Sequence, residues 1–220
     1  MSTSVDAAAN PELAVLPRGR HSLSREQVRA SQRARMLHAM VEAVAEKGYL
    51  STSVADVIAR ARASRETFYE QFENKQDCFL AAYDEAVRQL TESMQGALLA
   101  DDPPAVRFER ALERYLNAMA SEPGLARTFM IEVYAPGPDA WKRRAQVLDR
   151  FGDVVFEQLR AEPAIARLPD PRFAVRALVG AISAMVTGLV AEGDYDALPA
   201  LKAPIMQLLA ALWHGGSAAR

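Results

Sequence analysis

Between Thr52 and Lys75 the chain sets two short apolar stripes on either side of a three-residue break, and few folds accommodate that pattern. Val54, Val57, Ile58 and Ala61 recur at i, i+3, i+4 and i+7, the spacing that lines one face of an amphipathic helix. Arg62-Ala63-Ser64 interrupts the stripe, and Ser64 is placed to cap a second helix beginning at Arg65. Phe68 and Phe72 supply that helix with one buried face. Arg65, Glu66, Thr67, Tyr69, Glu70 and Gln71 are left for the outside. A short helix packed at an angle on another, showing donors and acceptors, suits the major groove of DNA.

The flanking residues fit the same unit. Met36, Leu37, Met40, Val41 and Val44 stripe a helix from about Val28 to Lys47, and Gly48 stops it behind cationic Lys47. Ser53 with Asp56 has capping-box spacing for the next helix, and Asn74 with Asp77 opens a fourth. Beyond it, Pro, Gly and Asp clusters punctuate helices expected near 75–99, 104–121, 124–134, 138–161, 171–192 and 198–214. No segment alternates as a strand would, so the fold class is all-α.

Charge is spread unevenly for a chain whose net charge is only −2. From Arg18 to Arg35 six arginines face one glutamate, and from Arg18 to Lys75 eleven basic residues face seven acidic ones. That distribution is a nucleic-acid footprint on a near-neutral protein, with a merely solubilising tail as the alternative. Residues 1–17 read as disordered, and Pro17-Arg18-Gly19-Arg20-His21 as a flexible arm able to place Arg18 and Arg20 in a minor groove.

Other classes find little support. The uncharged runs Ala177–Ala191 and Ala203–Ala219 are short or broken by Gly, Pro and His, against the ~20 apolar residues of a span. The N-terminus has no apolar signal segment, so a cytoplasmic location is expected. Cys78 is the single cysteine, which excludes an intrachain disulfide and reads as a small core residue. His21, His38 and His214 are scattered, and no glycine-rich phosphate loop, nucleophile motif or metal-ligand cluster is present. The expectation is a protein that is not an enzyme and uses no cofactor and no metal.

Gly48-Tyr49-x-x-Thr52-Ser53-Val54, Ala61-x-x-Ser64-x-x-Thr67-Phe68-Tyr69-x-x-Phe72 and Asn74-Lys75 together resemble the DNA-binding domain of TetR-type transcriptional regulators. The resemblance is close over residues 30–90 and extends further only in length and helical character. It implies a flexible basic arm (1–28), a three-helix helix-turn-helix domain (29–92, motif about 53–72) and a larger ligand-binding and dimerisation domain (93–220), about nine helices in all. By the same resemblance Thr52, Tyr69 and Lys75 would hold phosphates. Ser64 would cap the recognition helix and bond the DNA backbone. Arg65, Glu66 and Thr67 would face base edges, with Gln71 on the same DNA-binding helix. Arg62 and Ala63 depart from the family's usual Gly and larger apolar residue in the turn, and Arg62 is strained if the turn needs positive φ. Glu66 and Glu70 bring carboxylates toward phosphates, and Glu66 lies where it could pair with Arg62 instead.

The resemblance further implies an apolar ligand cavity among Phe108, Tyr115 and Met119; Phe129, Met130 and Tyr134; Trp141 and Phe151; and Met185. Simple core packing is the alternative for each. Glu132 reads as a solvated residue or as a contact to a cationic ligand. Gly180, Ala184 and Gly188 lie four apart, with Ala177 and Ala181 on a neighbouring stripe, and such small residues admit another helix closely. With Leu208, Leu212 and Trp213 they resemble the paired helices of a two-fold homodimer. The function implied is a sequence-specific DNA-binding transcriptional regulator, a repressor released by a small, largely apolar ligand. Its partners would be a near-palindromic double-stranded operator, a second copy of itself and that small molecule, with no membrane involved. The alternative is a dimeric ligand-binding protein of the same fold that has lost DNA binding.

Overall fold

Ser24 accepts a hydrogen bond from the Gln27 amide (3.1 Å) while the Ser24 amide donates to the Gln27 side-chain oxygen (2.8 Å), so the first helix starts earlier than its apolar stripe. This α1 runs Arg25–Lys47 and stops where Gly48, at φ 78°, sends its N–H back to the Val44 carbonyl. The computed structural model describes residues 24–98 and 101–215, with the side chains of 98 and 212–215 left out. The expected contacts of Arg18, Arg20, Leu212 and Trp213 therefore lie outside the described residues. All regular elements among the described residues are helical, and the chain divides into two compact units, one ending at Asp84 and one beginning at Glu85.

The first unit holds α1, α2 (Val54–Ala61), α3 (Arg65–Tyr69) and the start of α4 (Lys75–Leu98). Asn74 accepts from the Asp77 amide at 3.0 Å, the expected start of α4. Met36, Met40, Ala43 and Val44 of α1 are fully buried, as are Val57 of α2, Phe68 of α3 and Phe79 of α4. Rings lock the corners: Phe68 meets Phe72 at 5.3 Å and Tyr49 meets Phe79 edge-on at 5.1 Å.

The second unit continues α4 and adds α5 (Pro104–Ser121), α6 (Pro123–Met130), α7 (Pro138–Leu159), α8 (Pro163–Ala166), α9 (Pro171–Glu192) and α10 (Lys202–Gly215). Five of these helices, α5 to α9, open on proline, which loses no hydrogen bond at a first helical position. The segment expected as one helix over 124–134 is α6 followed by a 3-10 turn at Glu132–Tyr134, and a second 3-10 turn, Leu198–Leu201, precedes α10. The short α8 had no stripe long enough to announce it. Phe108, Leu112, Leu116 and Met119 of α5 form one core with Leu159, Ile165, Val175, Ile182, Val186, Val190, Leu198, Ile205 and Leu209. At Gly152, α7 approaches α9 so closely that an added Cβ would lie 2.8 Å from Arg176 Cγ.

Helix α9 departs from one expectation. Over its whole length, rather than its uncharged run alone, it is long and apolar enough to cross a membrane, with a mean hydropathy of 1.9 over an 18-residue window. Its charged residues sit at its ends, which is why the wider window passes. Val175, Ile182, Val186 and Val190 pack inward, whereas Ala177, Gly180, Ala181, Ala184 and Gly188 are exposed along another face. At Gly180 and Gly188 an added Cβ would meet nothing within 4 Å.

Candidate nucleic-acid interface and ligand core

The turn between α2 and α3 is built on left-handed backbone. Arg62 has φ 51° and ψ 44°, and its N–H together with that of Ala63 (3.0 Å to the Ile58 carbonyl) closes the end of α2. The condition raised from the sequence is met: the turn has positive φ, and Arg62 adopts it. Ser64 then accepts from the Thr67 amide at 3.0 Å and lies 2.8 Å from the Thr67 hydroxyl. This arrangement starts α3 with the underside of Phe68 fully buried. Arg65, Glu66, Tyr69 and Glu70 are exposed and Thr67 half-buried. No pairing joins Glu66 to Arg62 among the described residues. At the base of α2, Asp56 bonds the Ser53 amide (2.7 Å) and pairs with Lys47 (2.7 Å). The Lys47 ammonium, helped by the Ser53 hydroxyl and amide, holds its carboxyl well below the usual carboxylate range.

Three residues expected at DNA have other geometry. Thr52 is 2 % exposed, and its hydroxyl donates to the carbonyls of Gly48 (2.9 Å) and Ala43 (3.2 Å), so it ties the loop to α1 rather than presenting itself to a phosphate. Lys75 Nζ donates to the carbonyls of Tyr49 and Thr52, both at 2.9 Å, and lies 4.0 Å from the Tyr49 ring centre. Burial lowers its pKa. Gln71 turns toward α1 and donates to the Arg29 carbonyl at 3.3 Å. In each case a backbone carbonyl on another segment of the first unit takes up the donor, and spacing along the sequence does not reveal it.

The basic run is likewise in part a scaffold. Arg29 donates to the Glu70 carbonyl (3.1 Å) and Arg33 to the Gln71 carbonyl (3.3 Å) while lying 4.5 Å from the Phe72 ring centre. Arg35 donates to the Ala61 carbonyl (3.3 Å) at the end of α2. Cations at these C-terminal carbonyls complement the helix dipoles and hold α2 and α3 against α1. Sequence reasoning assigned these arginines only to net charge. Arg29 and Arg33, four residues apart on one face of α1, carry the available signal; Arg35, two residues on, lies on another side.

In the second unit the expected ligand residues separate. Phe108, Met119, Phe129 and Met130 are buried, and Tyr115 and Phe151 are half-buried. Tyr134, Trp141 and Met185 are 47, 55 and 40 % exposed, and of these Tyr134 turns its hydroxyl inward to Arg144 at 2.8 Å. The Trp141 indole N–H is bonded to the Tyr134 carbonyl (2.8 Å) at the surface of the 3-10 turn. Glu132 pairs with Arg127 at 3.4 Å. Sequence reading passed over Arg144, which is 5 % exposed and donates to the Tyr134 hydroxyl (2.8 Å) and the Ser183 hydroxyl (2.9 Å). Nothing in the sequence distinguishes it from its neighbour Arg143.

With this geometry in place, comparison with known proteins is informative. Residues 36–82 match the family of bacterial regulatory proteins of the tetR type. The fatty acid metabolism regulator protein of Bacillus subtilis is 21% identical over 182 residues, covering 81% of this chain and 94% of that protein. The fatty acid degradation regulator FadR of Bacillus halodurans superposes with a TM-score of 0.73 at 20% identity, over 84% of this chain and 95% of its own. FadR of Bacillus subtilis, solved in complex with stearoyl-CoA, does so at 0.71 and 20% identity, over 83% and 98%. The matched segment spans α1 from Met36 through the helix-turn-helix and into α4, the elements that hold α3 with its outer face exposed. Over residues 36–82 this chain matches the tetR family of bacterial regulatory proteins, and over most of its length it shares the fold of the two FadR structures.

Proposed function

We propose that the protein is a cytoplasmic, dimeric repressor that binds a near-palindromic operator and is released by a small ligand with a long apolar body. The observation that carries this is α3 itself: Phe68 is locked beneath while Arg65, Glu66 and Tyr69 stand exposed on a capped helix. Arg65 suits guanine O6 and N7, Glu66 cytosine N4, and Thr67 either, each good pair being worth about 1–3 kcal/mol of discrimination. Ser64 and Tyr69 would bond phosphates, with Arg18 and Arg20 reaching the minor groove. Thr52, Gln71 and Lys75 act from behind by positioning the reading helix. The DNA-binding domain would end and the ligand-binding and dimerisation domain begin within α4.

The exposed small-residue face of α9, with Leu208 of α10 54 % exposed, supports a two-fold helix pairing between copies. Such a dimer would set two copies of α3 about 34–36 Å apart, one turn of DNA. The ligand class follows from the Bacillus relatives, which regulate fatty acid metabolism. The buried Phe108, Leu112, Leu116 and Met119 give an acyl chain an apolar environment. Gene regulation rather than turnover is the activity of these relatives, and no catalytic role is proposed.

A footprint on the intergenic DNA beside the gene, with and without dodecanoyl-coenzyme A, tests this reading. Symmetric protection that the thioester removes is expected. The outward Glu66 and Glu70 favour a second reading, a ligand-binding relative without an operator. An intact dimer that protects no DNA at low salt would support it and sink the first.

A further inference from the structure

Arg144 is a buried cation surrounded by neutral groups. Its Nε donates to the Tyr134 hydroxyl at 2.8 Å and Nη1 reaches the Phe129 carbonyl at 3.4 Å. Nη2 faces the Ser183 hydroxyl (2.9 Å), the Thr187 hydroxyl (3.4 Å) and the Met130 thioether (3.6 Å). Among the described residues no carboxylate pairs with it, although a guanidinium cannot shed its proton and buried charges are otherwise paired. Glu132, close by in the chain, is committed to Arg127. The Tyr134 and Ser183 oxygens accept from Arg144, which leaves their own protons to donate. The cluster thus offers donors from three sides, and the Met130 sulfur, a weak acceptor on a flexible side chain, lies against the guanidinium. Met130 and the core residues Ile182 and Val186 make the surroundings apolar.

We propose that Arg144, with Ser183 and Tyr134, is the anchor for the anionic head of an amphiphilic ligand, whose oxygens displace the Met130 thioether. This rests on the acyl-ligand reading above and adds to it the charge and the residues that recognise it. The shared chemistry is a carboxylate or phosphate joined to an apolar body. The acid and the coenzyme A conjugate differ in where that charge sits.

Equilibrium binding of dodecanoate, methyl dodecanoate and dodecanoyl-coenzyme A to the full-length protein tests the assignment. An anionic probe should bind about 10- to 100-fold more tightly than the neutral ester, the strength of a charge-assisted hydrogen-bond set. Preference for dodecanoate places a carboxylate at Arg144, and preference for the thioester alone places a phosphate there. Arg144→Met should bring the preferred probe down to the level of the ester while leaving the ester's own affinity within about twofold, because the apolar contacts persist. The variant leaves the Phe129 carbonyl and the Tyr134 and Ser183 hydroxyls without this donor, which costs stability, so its fold is checked by circular dichroism before binding is read. Should it not fold, the wild-type comparison decides alone. Equal binding of all three probes overturns the anion anchor and leaves the acyl reading standing. Binding of none overturns both.

Discussion

Lys75→Met separates the phosphate contact that the family resemblance implies from the internal hydrogen bonds that the structure gives the same ammonium. The substitution keeps the aliphatic stem and removes the charge. It breaks two hydrogen bonds of 2.9 Å to the Tyr49 and Thr52 carbonyls and the 4.0 Å contact with the Tyr49 ring. Hydrogen bonds from a charged donor contribute about 1.5–3 kcal/mol each, and a partly exposed cation–π contact about 0.5–1. Taking the lower bound for the two hydrogen bonds alone, because the ammonium regains water on unfolding and the site is only part-buried, the loss is about 3 kcal/mol. With a urea slope of about 2 kcal/mol per molar, the midpoint of the DNA-binding unit should fall by roughly 1.5 M. The slope of log affinity against log salt should stay unchanged at temperatures where the variant is folded, because Lys75 contacts no phosphate in this reading. A phosphate-binding Lys75 predicts the opposite: an unchanged midpoint and a salt slope reduced by about 1. That result would refute the assignment of Lys75 as an internal staple.

Arg62→Gly should raise stability by about 0.5–1 kcal/mol, since glycine removes the Cβ strain at φ 51° but adds freedom to the unfolded chain, and a lower urea midpoint would contradict this. Asp56 titrates below its unfolded value, so its contribution is present above the ordinary carboxylate value of 3.8 and is lost as pH falls from there toward the folded value. Asp56→Asn should therefore flatten the fall in melting temperature on acidification below about pH 4, and parallel curves for variant and wild type would count against the Lys47 pairing. Cys78 is fully buried and its thiol is pushed up to about 12, so it should resist an aromatic disulfide reagent in the native protein and react once urea unfolds the domain. Rapid native labelling would show that α4 opens locally.

Much of this protein is written in local sequence. The caps at Ser53, Ser64 and Asn74, the stripe on α1 and the prolines that open α5 to α9 act within one helical turn, so the all-α class and most helix bounds follow from spacing alone. The inward face of Phe68 and the outward face of Arg65 and Glu66 follow for the same reason. What spacing cannot convey is which donor meets which distant carbonyl. Thr52, Gln71, Lys75 and Arg33 are polar residues near a predicted DNA surface, and each is drawn to a backbone oxygen on another element. Arg144 and Ser183 are 39 residues apart, and only the packing of α7 on α9 makes them one site. Periodicity records which side of a helix is apolar. The pairing of polar groups across elements depends on where tertiary packing leaves a carbonyl or a charge without water.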